Sequence, residues 1–253
     1  MGLSQRSSVG IVLGLALATT VAGIARAQRY ELPLPGLART DAVRVVLHRD
    51  GGLVVPGNDD PRRFRSGVLA RSGLDWLDVP AFAGDDAEWT ELVACVQEKY
   101  AGLAVEVLDT PPKRGDYIVA MIGGSPDMFG FDEQVGGIAP WNGRVIDDAV
   151  VFAFQTPDTS AHELCEKTAH EIGHALGLDH TRDCGDLMSY ESCGPKHFRE
   201  EPAPCGEWDD RECGSGRSTQ SSADELARRV GREDEPVGTS LLGLGTSGLF
   251  HLR

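Results

Sequence analysis

The spacing of hydrophobic residues predicts two long helices in this chain. From about residue 85 to residue 100, apolar side chains recur every three or four positions, as on one face of a helix. They are Trp89, Leu92, Val93, Val96 and Tyr100. Acidic residues open this segment, where the helix dipole favours negative charge, and Gly102 ends it. A second helix is predicted over about residues 159–176, after Pro157 and a cap supplied by Asp158, Thr159 or Ser160.

Runs of β-branched and apolar residues predict strands around the first helix. Three of them lie between the two helices, at residues 103–109, 116–124 and 147–155. Ahead of the first helix, residues 43–47 and 51–57 indicate a hairpin or a pair of short strands. A cap-like Ser222 followed by Glu225 predicts a short helix within residues 218–230. The sequence shows no internal repeat and no second domain.

The second helix carries the sequence HEIGHALGLDH, which concentrates the candidate chemistry of the chain. Residues four apart share one face of a helix, so His170 and His174 can bind one metal ion with Glu171 beside it. Gly177 permits the chain to turn back at the helix end, and His180 then reaches the same ion. Three imidazole ligands leave a fourth position open to water, which is the arrangement of one catalytic Zn²⁺ rather than a structural one.

The complete pattern, HExxHxxGxxH followed by Met188, resembles the metzincin clan of zinc endopeptidases. The resemblance implies an α+β fold of the metzincin-type zincin class. Such a domain has a twisted, mostly parallel sheet with an antiparallel edge strand, a backing helix and the active-site helix. Met188 would then form a hydrophobic floor under the histidines. The short gap before Met188 is matrixin-like, whereas Met-x-Tyr resembles astacins and serralysins, so the sequence mixes the marks of these subfamilies.

The resemblance also implies roles for residues around the metal. In this scheme Glu171 is the general base that activates water, and Tyr190 is either a metal-side residue that stabilises the transition state or a tyrosine packed in the turn. Residues Gly137, Ile138 and Ala139 resemble the exposed edge strand that binds substrate, although an ordinary surface loop is the alternative. The predicted activity is that of a zinc metalloendopeptidase acting on protein or peptide substrates. The alternatives are a catalytically silent zincin-fold binding protein and a zinc hydrolase of a non-protein amide.

The N-terminus has the features of a secretory signal peptide. One early Arg6, an apolar run and an Ala-x-Ala end predict cleavage after Ala27, so residues 1–27 are assigned to the signal. Residues 28–80 are a short propeptide or the first strands, residues 81–231 the catalytic domain, and residues 232–253 a tail. We therefore expect a secreted protein, extracellular or periplasmic, with no stable membrane association after cleavage. We also expect it to be a monomer.

All six cysteines follow the predicted signal peptide, which indicates a disulfide framework. Six cysteines allow 15 connectivities, and the sequence alone does not choose among them. The metzincin fold packs the backing helix against the active-site helix, which favours Cys95–Cys165. We further predict Cys184–Cys193, which would brace the turn that holds Met188, and Cys205–Cys213. The alternative is that Cys184 and Cys193 are further zinc ligands.

The chain is strongly acidic, with a net charge of −15. Removing residues 1–27 takes away Arg6 and Arg26 and no acid, which changes that charge to −17. We therefore do not expect the chain to bind nucleic acid through its overall field, because phosphate contacts need clustered lysine and arginine. Oxygen donors for Ca²⁺ are available, although no EF-hand loop is present and a solvated acidic surface is the alternative. The candidates are Asp127, Asp132, Glu133, Asp147 and Asp148.

Overall fold

A computed structural model describes residues 41–233 of the chain. The predicted signal peptide lies outside these residues, as does the predicted tail beyond Glu233. Within residues 41–233, no helix is long and apolar enough to span a membrane.

The described residues form ten strands and four α-helices. The strands are β1 (Val43–His48), β2 (Gly52–Pro56), β3 (Arg65–Ser66), β4 (Leu77–Val79), β5 (Val105–Leu108), β6 (Ile118–Ile122), β7 (Gly137–Ile138), β8 (Val150–Ala153), β9 (Ala203–Pro204) and β10 (Thr219–Gln220). The helices are α1 (Gly67–Ser72), α2 (Asp86–Lys99), α3 (Ala161–Ala175) and α4 (Ser222–Val230). Two single 3-10 turns occur at Pro61–Arg63 and Pro126–Phe129.

The centre of the fold is a five-stranded sheet with the order β5-β1-β6-β8-β7. Four neighbouring strands run parallel, and β7 is antiparallel to β8 at one edge. Every residue of β6 and β8 is buried, as expected for strands of a parallel sheet that is covered on both faces. This mixed architecture, with a mostly parallel sheet and one antiparallel edge strand, confirms the predicted fold class.

Helices α2 and α3 cover one face of this sheet. Asp85 and Glu88 form a capping box at the start of α2, and the Ser160 side chain caps α3. The apolar faces of both helices meet the sheet in one core that includes Val45, Leu92 and Ile172. Because α2 lies directly against α3, it fixes the position of the helix that carries HEIGH.

The segment that joins β1 to α2 along the chain forms a small layer on the opposite face of the sheet. It comprises α1 and a three-stranded sheet with the order β3-β2-β4. Its Leu69 and Val79 join a second core with Val46 and Phe152. Of the two alternatives predicted for residues 43–57, the structure has the pair of short strands and not the hairpin. β1 is buried between β5 and β6, while β2 pairs with β3 and β4, so each strand finds its partners elsewhere in the chain.

Candidate metal centre

Three imidazoles converge at the C-terminal end of α3. The Nε2 atom of His174 lies 3.0 Å from that of His170 and 2.9 Å from that of His180. His170 and His174 are one turn apart on the helix, and the chain leaves the helix before His180. At Gly177 the backbone adopts φ +94°, a left-handed conformation that glycine accepts without a steric penalty. The structure thus brings together the three histidines that the sequence pattern selected.

The outer ring nitrogen of each histidine has an acceptor. His170 Nδ1 lies 2.8 Å from the Leu187 carbonyl, and His174 Nδ1 lies 2.9 Å from the Leu178 carbonyl. His180 Nδ1 lies 2.8 Å from a carboxylate oxygen of Glu207. Because an oxygen of this kind accepts a hydrogen bond, each Nδ1 carries the proton and each Nε2 presents its lone pair inward.

This arrangement fits a bound cation. Unprotonated Nε2 atoms 2.9–3.0 Å apart repel one another unless a positive ion lies between them. Burial, reinforced by the neighbouring imidazoles, lowers the pKa of His170 well below 6.5 and that of His174 to about 3. Burial also lowers the pKa of His180. Neutral nitrogen ligands in a buried set of three suit Zn²⁺.

Glu171 is buried beside the histidines, with only 6% of its surface exposed. No hydrogen bond joins its carboxylate to another residue within 41–233. Burial raises the pKa of Glu171 from 4.5 to about 8. A cation on the neighbouring histidines favours the ionised form and opposes that shift. Glu171 is therefore a buried carboxylate without a hydrogen-bond partner among residues 41–233, and it lines open space.

That space consists of two cavities that meet at Glu171 and Tyr190. The larger one, of about 710 Å³, extends along α3 between β7 and the loop that carries Ser192 and Lys196. The smaller one, of about 440 Å³, lies on the side of His180, Trp141 and Glu207. A chain laid across both cavities would pass over Glu171 and the histidines.

The edge strand β7 is in close contact with Glu171. A Cβ atom on Gly137 would lie 2.5 Å from Glu171 Cγ and 2.5 Å from the Phe152 carbonyl oxygen, so a larger residue would displace the carboxylate. Gly137 and Ile138 form the strand as predicted, while Ala139 follows it outside the strand. β7 pairs only with β8 in this sheet, so its other edge has no strand partner within residues 41–233.

Met188 lies fully buried beneath the histidine-bearing turn of α3. Its sulfur would be 2.6 Å from a Cβ atom on Gly173. The glycine in HEIGH is therefore needed for close packing of the helix on Met188, a role that sequence reasoning did not assign. The Met188 backbone is fixed by a hydrogen bond from its N–H to Asp186 Oδ1 and by one from Thr181 N–H to its carbonyl.

Tyr190 lies on the metal side of the turn. Its ring centroid is 4.4 Å from that of His180 and 6.0 Å from that of His170, and about half of the residue is exposed. Burial, with smaller contributions from Glu171 and Glu207, raises the pKa of Tyr190 above 10.0. The hydroxyl therefore stays protonated at neutral pH and can donate a hydrogen bond. The exposed Trp208 ring lies 5.6 Å from the Tyr190 ring.

The structure contains three disulfides, with the predicted pairing. Cys95–Cys165 joins α2 to α3, and Cys184–Cys193 closes the loop around Met188 and Tyr190. Cys205–Cys213 closes a short loop that contains Glu207 and Trp208. No cysteine within residues 41–233 is free, so none is left for the alternative of cysteine zinc ligands.

A network of charged side chains behind His180 was not predicted. Arg211 donates to both carboxylate oxygens of Asp179 at 2.8 Å and to Glu207 at 2.7 Å. Arg211, followed by His180, lowers the pKa of Glu207 to about 2. Burial raises the pKa of Asp179, but hydrogen bonds from Arg211 and Gly214 outweigh it, and the net shift is downward. The only feature of the sequence that indicates this network is the four-residue spacing of Glu207 and Arg211.

Asp179, His180 and Glu207 also form a cluster with the spacing of a metal site. The guanidinium of Arg211 already occupies the oxygens of both carboxylates, so a second cation beside it is disfavoured. None of the five acidic residues considered for Ca²⁺ belongs to a ligand cluster within residues 41–233. The structure therefore gives the calcium prediction no support.

Replacing Gly177 with alanine should destabilise the protein and weaken zinc binding. A left-handed backbone costs a residue with Cβ about 1–2 kcal/mol. The new Cβ would also collide with the Arg229 guanidinium and the Arg144 backbone. Gly102→Ala is the matched control, because Gly102 has φ +78° and no atom within 4 Å of its Cβ position. Urea unfolding should show a larger loss for Gly177→Ala. Equal losses in the two variants would contradict the steric contribution.

Asp186→Asn should change how stability depends on pH. Burial raises the pKa of Asp186 from 3.8 to about 6, although its oxygens accept from Met188 N–H and the Ser222 hydroxyl. A carboxyl whose native pKa is raised contributes stability below pH 3.8 that is lost as the pH rises through about 6. In the zinc-free wild type this loss should be about 2–3 kcal/mol larger than in Asp186→Asn. Urea unfolding of both proteins between about pH 3.5 and about pH 7, a range that spans both pKa values, measures this loss. Parallel curves of stability against pH for the two proteins would refute the prediction.

Comparison with known proteins shows which family the site region is similar to. Residues 128–201 match the model of the matrixin family of peptidases, a segment that contains β7, β8, α3, the three histidines, Met188 and Tyr190. Together with the histidine cluster, this match confirms the resemblance to metzincin-type metalloproteases and supports zinc as the metal.

One similar solved structure is high choriolytic enzyme 1 (HCE-1), a hatching enzyme zinc-protease from Oryzias latipes, the medaka fish. The two chains are 10% identical, and the match covers 56% of this chain and 48% of that chain with a TM-score of 0.27. This chain thus spans about half the length of that protein, and a TM-score of this size does not establish a shared fold. A search of curated proteins found no match.

Proposed function

We propose that the protein is a secreted zinc endopeptidase in which Glu171 is the general base. The observation that carries the proposal is the buried Glu171 carboxylate, which adjoins three inward-facing histidine nitrogens and opens onto both cavities. A structural zinc site has no use for an adjacent proton acceptor that lacks a hydrogen-bond partner. This argues for catalysis rather than for a silent binding protein.

The residues divide the chemistry of peptide hydrolysis among them. His170, His174 and His180 would hold Zn²⁺, which when bound lowers the pKa of water toward about 7 and polarises a carbonyl. Glu171 takes a proton from the attacking water and passes it to the departing amine. Tyr190, whose hydroxyl stays protonated, donates a hydrogen bond to the developing oxyanion. Glu171 is not a ligand in this scheme, because it must be free to accept the proton.

The substrate binds along β7 as an additional strand. Main-chain groups of Gly137 and Ile138 supply the hydrogen bonds, and the two cavities receive side chains on either side of the scissile bond. An extended peptide is the ligand that this geometry suits, whereas a small amide would use neither the free strand edge nor most of the cavity volume. The protease class of the matched family also implies peptide substrates.

Secretion is supported by the cysteine chemistry. Disulfides persist in oxidising compartments, and the three found here use every cysteine of the chain. The predicted signal peptide at residues 1–27 supplies the export route.

Digestion of casein by purified residues 28–253 tests the proposal. Cleavage should be abolished by a zinc chelator and restored by added Zn²⁺. Hydrolysis of small amides without cleavage of casein would favour the non-protein amidase. Tight zinc binding by a folded sample that hydrolyses neither would favour the binding protein and overturn the proposal.

A further inference from the structure

We propose that Glu207 and Arg211, in the loop closed by Cys205–Cys213, are positioning residues that hold His180 in place for zinc. The inference rests on the proposed zinc site, and it assigns these two residues a role in metal affinity rather than in the chemical step. The loop comprises residues 205–213, and we call it the 205–213 loop.

His180 needs support that the other two histidines obtain from the helix. His170 and His174 project from α3, and their Nδ1 atoms meet backbone carbonyls. His180 lies beyond the helix end, after the turn at Gly177, and its Nδ1 meets the Glu207 side chain at 2.8 Å. A carboxylate in that position selects the tautomer with a free Nε2 and increases the basicity of the ring.

Glu207 is itself fixed by Arg211. The guanidinium contacts one Glu207 oxygen at 2.7 Å and the other at 3.2 Å, and it also holds both oxygens of Asp179. Asp179 immediately precedes His180 and accepts from the His180 backbone N–H at 2.8 Å. Arg211 therefore ties the ring of His180, through Glu207, and the backbone of His180, through Asp179, to one rigid group.

Backbone contacts fasten the 205–213 loop to the same turn. Gly206 N–H donates to the His180 carbonyl at 3.2 Å, and Arg182 N–H donates to the Pro204 carbonyl at 2.9 Å. Inside the loop, Arg211 N–H donates to the Cys205 carbonyl at 2.7 Å, beside the disulfide. These contacts hold the main chain of the loop against the turn that carries His180, so Glu207 and Arg211 project from a fixed backbone.

Zinc affinity of the mature protein measures the positioning role. Glu207→Ala removes the acceptor, Glu207→Gln keeps an acceptor oxygen but loses the charge, and Arg211→Ala frees Glu207. Asp209→Asn is the matched control, because Asp209 is an exposed acid of the same loop with no side-chain partner within residues 41–233. Zinc dissociation constants come from competition with a chromogenic chelator, and melting temperatures of the zinc-free proteins report on folding.

We expect Glu207→Ala to weaken zinc binding about 10–100-fold, with a smaller loss for Glu207→Gln and none for Asp209→Asn. The zinc-free Glu207 variants should melt at the wild-type temperature. Wild-type affinity in both Glu207 variants would overturn the inference and leave the proposed function intact. An affinity loss that only follows a lower melting temperature of the zinc-free protein would also overturn it. A wild-type protein that binds no zinc would instead refute the proposed function.

Discussion

Glu171→Gln should remove peptide hydrolysis while the zinc content stays at the wild-type level. Glutamine has nearly the same shape as glutamate but cannot accept a proton at neutral pH. A positioned general base contributes about 10²–10⁴-fold to a rate, and kcat/KM should fall by that factor. Zinc should remain, because the histidine nitrogens hold it and the carboxylate does not. Casein cleavage and zinc content are measured on the same preparation.

The fold should tolerate this substitution. Glu171 forms no hydrogen bond within the part of the chain that the structure describes, so the substitution breaks none. Glu91→Gln is the control, since it makes the same chemical change at an exposed position of α2. A Glu171→Gln enzyme that keeps more than about a tenth of the activity would disprove the general-base role. Loss of zinc from that variant would show that Glu171 is a ligand.

The histidine cluster could be predicted because it depends on local geometry. Helical spacing places His170 and His174 on one face, and Gly177 marks the turn that returns His180 to them. Each of these relations spans fewer than about a dozen residues, and each follows from backbone geometry alone. Met188 and Tyr190 needed the family resemblance, since nothing in the spacing of the turn indicates which way their side chains point.

The support around the cluster depends on contacts between distant parts of the chain. Glu207 meets His180 across 27 residues, and Gly137 lies against Glu171 because β7 and α3 both pack on β8. The spacing of hydrophobic residues along the chain does not indicate such long-range contacts. The layer formed by α1 and β2–β4 was not predicted for the same reason. β1 and β2 are adjacent in sequence, yet each pairs with strands from other segments.

The Cys95–Cys165 disulfide should be the largest covalent contribution to stability. It closes a loop with a sequence separation of 70 residues, and constraining such a loop in the unfolded chain is worth about 4 kcal/mol. The double variant Cys95→Ala/Cys165→Ala should lose that amount, which is about a thousandfold in the unfolding equilibrium. Urea unfolding of the zinc-free proteins measures the loss without a contribution from bound metal.

The Cys184–Cys193 pair provides the matched comparison, because its sequence separation is only 9 residues. Cys184→Ala/Cys193→Ala should lose about 2–3 kcal/mol by the same loop-entropy reasoning. Equal losses for the two pairs would mean that native packing, rather than loop closure, determines the effect. Cys165 precedes His170 by little more than one turn of α3, and the Tyr100 hydroxyl donates to Ala169 O at 2.7 Å. A loosened contact between α2 and α3 would therefore also displace the histidines proposed to bind zinc.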